Sequence, residues 1–135
     1  MVRLGIRQVL GVAGIFLAML VAPVAAQGPE LGMLDGLRAG SWDLKLRGEA
    51  GPSSKVCLRT GRELIQLRHR QAGCNRIVVD DLPGEVTVHY SCPGNGYGQT
   101  TIRKESATVV QISSQGVAGK APFNFHAEGR YAGGC

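Results

Sequence analysis

The sequence carries no C-x-x-C pair, no H-E-x-x-H and no G-x-S-x-G. Their absence removes the local signatures of zinc ribbons, dithiol redox enzymes, zinc peptidases and hydrolases with a nucleophile elbow. Aromatic residues are scarce, with one Trp, three Tyr and three Phe. Each buried ring contributes on the order of 150–250 Å², so a chain with so few of them builds a modest core. No apolar run exceeds about 14 residues, short of the roughly 20 that a membrane-spanning helix needs. Charge is sparse too, at 19% charged residues and a net +5, far from the concentrated basic stripe of a nucleic-acid-binding surface.

What is present begins with an export signal. Arg3 and Arg7 form a basic start, an uncharged apolar stretch runs from Val9 to Ala22, and Pro23 is followed by Val24, Ala25 and Ala26, with small residues where signal peptidase requires them. Cleavage after Ala26 is expected, giving a signal peptide over 1–26 and one domain over 27–135. A lipid anchor would need a cysteine at the cleavage point, and the first cysteine is Cys57. The remaining chain, about 109 residues, is long enough for one hydrophobic core and too short for two. Removing Arg3 and Arg7 lowers the 15 basic residues to 13 against 10 acids, leaving about +3.

All four cysteines, Cys57, Cys74, Cys92 and Cys135, follow the cleavage point. An even count in an exported chain predicts two disulfides, and the wide spacing argues against a zinc site. Three pairings are formally possible. Asn75 to Asp80 and Glu85 to Cys92 read as strands joined by Asp81, Leu82, Pro83 and Gly84, a turn with Pro before Gly. Counting outward from that turn sets Cys74 opposite Cys92 and leaves Cys57 to pair with Cys135. Loops of roughly 19 and 79 residues would then contribute about 3 and 4.5 kcal/mol through chain entropy.

Period-two alternation predicts further strands. Trp42, Leu44 and Leu46 alternate with Asp43, Lys45 and Arg47. Others are expected at Ser54 to Leu58, Gln99 to Lys104, Thr108 to Ser113 and Phe123 to Arg130, with Pro93 to Gly98 as a turn. Thr60 and Glu63 form a capping box, predicting one short α-helix to about Gln71, closed by Gly73. At 100° per residue it would turn Leu64, Ile65 and Leu67 inward and Arg62, Gln66, His69 and Arg70 outward, with Arg68 on the apolar edge. The fold expected is mainly β: a curled antiparallel sheet or small barrel of about six to eight strands with one short α-helix and two disulfides.

Four ordered elements carry a resemblance: G-x-W opening a strand (Gly40, Trp42), Cys57-Leu58 before the helix, the Cys74 and Cys92 hairpin, and a terminal G-R-x-x-G-x-C (Gly129, Arg130, Gly133, Cys135). Behind an export signal, this order resembles the bacterial family catalogued as domain of unknown function 3617, small periplasmic proteins mainly of Gram-negative bacteria. The resemblance covers nearly all of the chain after the signal. Members often carry a second Arg and an Asp before the last cysteine, where this chain has Tyr131 and Gly134. It implies a periplasmic location and no particular activity.

For function, no catalytic constellation, metal site or cofactor is expected. His89 and His126, at polar strand positions, could meet across the sheet, and Asp80, Asp81 and Glu85 supply fewer oxygens than a calcium loop requires. Arg62, His69 and Arg70 form a candidate anion-binding face, weighed against a simple solvated surface. Trp42, Val88, Phe123 and Phe125 form a candidate concave apolar face. The reading that follows is a non-enzymatic binding module for a small or lipid-like envelope component. The alternative is a protein-recognition module, such as a periplasmic inhibitor of a cell-wall lytic enzyme. Expected partners are therefore an envelope lipid or glycan, or a periplasmic protein. A continuous cavity behind the apolar face would favour the first, and a filled core with a protruding loop at Gly94 to Gly98 the second.

Overall fold

The computed structural model describes residues 30–48 and 53–135, so the expected export signal over 1–26 lies outside the described residues. A single seven-stranded antiparallel sheet makes up most of the rest, in the order β2-β1-β7-β6-β5-β4-β3. Its strands are β1 (Gly40–Leu46), β2 (Ser54–Leu58), β3 (Asn75–Asp81), β4 (Glu85–Cys92), β5 (Gly96–Ser106), β6 (Val109–Ala118) and β7 (Ala121–Gly133). Each overlaps a strand expected from the sequence, although β5 begins at Gly96, inside the stretch expected as a turn. The sheet curls but does not close: β2 and β3 are its two edges, which decides between the open sheet and the barrel. Among the described residues, no helix is long and apolar enough to cross a membrane.

Pairing carries one apolar face across the whole sheet. Val88 on β4 aligns with Thr100 on β5, Ser114 on β6 and Phe125 on β7. The neighbouring row runs Val86, Ile102, Ile112, Ala127 and Leu46. Such a face must be covered, since each large aliphatic chain left in water forgoes about 1.5–3 kcal/mol. Leu31, Met33, Leu34 and Leu37 from the start of the domain, with Leu58, Leu64 and Ile65, complete the buried core. The Thr100 hydroxyl donates to the Ile65 carbonyl at 2.7 Å and meets the Ser114 hydroxyl at 2.8 Å, fixing the cover to the sheet.

The helical elements differ from the expectation in two ways. Among the described residues there are two small helices, the unexpected one because residues 31–37 pack inward: α1 (Gly32–Asp35) turns Met33 and Leu34 into the core. Leu34 and Leu37 press so closely on Gly61 that a side chain there would overlap them. Second, the expected α-helix is a 3₁₀ helix, Gly61–Gln66, whose start is held by the predicted capping box between Thr60 and Glu63. A 3₁₀ helix has three residues per turn, so the 100° wheel misplaces its faces.

The two disulfides pair as counted, Cys74 with Cys92 and Cys57 with Cys135. The bulge at Val78/Asp80 leaves the register running Asn75 to Ser91, directly beside the Cys74–Cys92 link. Cys57 and Cys135 are both exposed, so their joint replacement by serine reports the cross-link and not packing. That double variant should lose about 4 kcal/mol of unfolding free energy, as expected for a loop of this length. A urea transition shifted by less than 1 kcal/mol would show that the unfolded chain gains no freedom when the link is cut.

Candidate functional site

The structure disperses the candidate anion-binding residues. Arg62 lies against α1, giving Nε and Nη2 to the two Asp35 carboxylate oxygens at 2.7 and 2.8 Å and Nη2 also to the Glu30 carbonyl. This bidentate pair holds the Asp35 carboxyl below its ordinary range and raises the Arg62 guanidinium above its own. His69, expected on the solvent face, is 1% exposed. Its backbone N–H donates to the Gln66 carbonyl, so the turn at residues 66–69 keeps the three-residue period and brings His69 inward. Nε2 lies 2.8 Å from the Asn95 carbonyl, which can only accept. Nδ1 is therefore the acceptor for the Tyr90 hydroxyl, 3.0 Å away. Arg70 alone of the three remains exposed.

The apolar candidates divide as well. Trp42 and Val88 are core residues without exposed surface, and the Trp42 indole N–H donates to the Arg38 carbonyl at 2.8 Å. Both are packed in the core cluster with the chain's own leucines, and neither lines the two clefts at the end of the cover. Gly94 to Gly98 does not protrude, because β5 begins at Gly96 and the turn before it is tied down through Asn95 to His69, Gln71 and Gly119. Phe123 and Phe125 are half-buried where the cover ends, their rings stacked at 6.3 Å, with Phe123 against the His69 ring at 5.9 Å. His89 and His126 do not meet: His89 aligns through Gln99 and Gln115 with Asn124, which puts β5 and β6 between them. Asp81 gives its carboxylate to the Leu31 N–H at 2.8 Å. Among the described residues, no three His, Cys, Asp or Glu side chains gather as a metal site would require.

Two clefts adjoin at the end of the cover, sharing Leu67 and Arg70. The first, about 180 Å³, is floored by Leu44, Leu46, Leu67, Phe125 and Ala127 and flanked by Arg68 and Arg70. The Arg68 guanidinium sits 5.3 Å from the centre of the Phe125 ring, a cation over an aromatic face. The second, about 310 Å³, is lined by Val56, Cys57 and Leu67 together with Arg59, Glu63, Gln66, Arg70 and Arg76. Glu63 takes hydrogen bonds from the Arg59 side chain and from the backbone N–H groups of Arg59 and Thr60. Burial opposes its ionisation, but these donors outweigh burial and hold the carboxyl low. Arg76 is tethered through Nε to Gln66 Oε1 at 2.6 Å. Burial first, and then the charge of Arg62, lowers its pKa.

Sequence reading noted Arg68 at the apolar edge, the correct signal for the first cleft. It missed Arg76, although Arg76 shares strand parity with Val78 and so belongs to the inward face of an edge strand, where an inward charge is informative. Comparison with protein-family models, curated proteins and solved structures finds no match for this chain.

His69→Ala should cost about 3 kcal/mol, because it opens a gap and strands the Tyr90 hydroxyl. Arg70→Gln should stay within about 0.5 kcal/mol. Equal urea midpoints for the two variants would contradict the buried placement of His69. Acid stability has a definite sign. Carboxyls held low in the folded state, at Asp35 and Glu63, stabilise above the unfolded value of about 4 and lose that contribution as pH falls through the lower folded value. Glu63→Gln, which keeps an acceptor for the cap, should flatten the loss of stability measured below pH 4.5.

Proposed function

We propose that this is an exported periplasmic protein, a member of the family it resembles, that acts as a non-enzymatic binding module for a small, anionic, lipid-like molecule. Two disulfides fit an oxidising compartment. The observation that carries the reading is the apolar cleft itself, walled by Leu46, Leu67 and Phe125 and flanked by two arginines without a carboxylate partner among the described residues. Apolar floor and cationic rim together complement a single-chain amphiphile with a negative head. A volume of about 180 Å³ is below the roughly 300–1,000 Å³ that encloses a whole drug-sized ligand. The cleft therefore takes the proximal part of one chain and leaves the rest outside.

One observation favours the alternative reading of protein recognition. Ile77 and Val79 on the edge strand β3, with Leu82 beyond it, are 66%, 54% and 57% exposed. Edge strands with apolar side chains can accept a further strand from a partner.

A chain-length series separates the two. For alkyl phosphates from four to twelve carbons, titrated below their micelle concentrations, affinity should rise about fourfold per methylene and then level off once the cleft is full. Phe125→Ala should lower the plateau. Affinity indifferent to chain length in the unaltered protein would remove the amphiphile reading and leave the β3 edge as the functional surface.

A further inference from the structure

Arginine in this region is unevenly committed. Arg59 is matched by Glu63 and Arg62 by Asp35. Arg70 and Arg76 have no carboxylate within ion-pair distance among the described residues, yet both line the second cleft, of about 310 Å³. Among the described residues, the only acid lining that cleft, Glu63, is already engaged by three donors. The cleft therefore holds uncompensated positive charge.

Arg76 is also pre-positioned. Gln66 is 7% exposed and spends its whole amide on the cleft wall, its oxygen on Arg76 Nε and its nitrogen on the His69 carbonyl at 3.0 Å. His69 is in turn held by Tyr90 and Asn95. This leaves the Arg76 Nη groups without a protein partner among the described residues. A guanidinium already ordered at Nε loses less freedom when it binds an oxyanion, and its planar fork matches phosphate through two parallel hydrogen bonds.

Building on the amphiphile reading of the adjoining apolar cleft, we propose that Arg76 and Arg70 form a phosphate-binding site in the second, arginine-lined cleft, one that receives the head group of a molecule whose chain lies beyond Leu67. Gln66 is the positioning residue. Leu67 and Arg70 belong to both clefts, so head and chain are divided at one point on the surface: a bidentate anion contact on one side and an apolar floor on the other. Free phosphate and a lipid phosphate offer the same oxygens to the arginines and differ in whether a chain is attached.

The test uses the mature protein with inorganic phosphate, decyl phosphate and decyl glucoside, followed by calorimetry at low and physiological salt. Decyl phosphate should bind most tightly and weaken with salt, as a partly exposed ionic contact must. Arg76→Gln and Arg70→Gln should each weaken it about tenfold while leaving decyl glucoside unchanged. Arg76→Lys, which keeps the charge and loses the fork, should restore only part of the affinity. Unchanged decyl phosphate affinity in both glutamine variants would overturn the site even if chain-length dependence persists. Phosphate binding that both variants abolish, with no binding of either amphiphile, would uphold the site for free phosphate and reject the lipid reading. Silence of all three probes would reject both.

Discussion

An antiparallel sheet of seven strands with one continuous apolar face cannot stand alone in water, and this chain has few aromatic side chains with which to thicken it. The solution is a cover drawn from two short segments, the leucine-rich start at residues 31–37 and the stretch that includes Leu58, Leu64 and Ile65. At mid-sheet the buried Thr100 side chain registers the cover on the sheet by donating to the Ile65 carbonyl. A polar group buried there would be costly without that acceptor, so the bond sets the place of the cover more than it adds net stability. From this follow the filled core at Trp42 and Val88 and the confinement of open space to the margin where the cover runs out.

That margin is chemically uneven for a reason that traces to the 3₁₀ helix. With three residues per turn, Gln66 and His69 follow one another inward, and their hydrogen bonds to Arg76, Tyr90 and Asn95 stitch the end of the cover to β3 and β4. Leucine and phenylalanine are then left half-covered on one side of Leu67, and on the other lies Arg76, which has no ion-paired acid among the described residues. Apolar and cationic surface meeting at a preformed margin is the property on which the proposed binding role depends. The arginines nearer the start of the domain serve structure instead, through the ion pairs of Arg59 and Arg62.

Much of this architecture was legible in the residues. Alternation marks β1 and β7, where inward and outward residues take turns along the strand, and turn signals bound the others. The Pro-Gly turn set the hairpin register and, with it, the pairing of all four cysteines. The capping box at Thr60 and Glu63 marked the correct helix start. The candidate site was only partly legible. Arg70, Phe123 and Phe125 do lie at the open margin, but a wheel of 3.6 residues per turn points His69 to solvent where the three-residue period turns it inward, and alternation alone does not reveal that the chain's own leucines cover Trp42 and Val88.

By itself the sequence determined the strands and the cross-links, since these depend on neighbours close along the chain. Tertiary structure decided that the sheet stays open, which segments cover it and which arginines remain unpaired. Those outcomes depend on partners far apart in sequence: Leu31 N–H with Asp81, Thr100 with Ile65, Arg62 with Asp35 and Arg76 with Gln66. No local pattern encodes such a pair, because the free energy that selects it arises only when the sheet brings the two groups within hydrogen-bond distance.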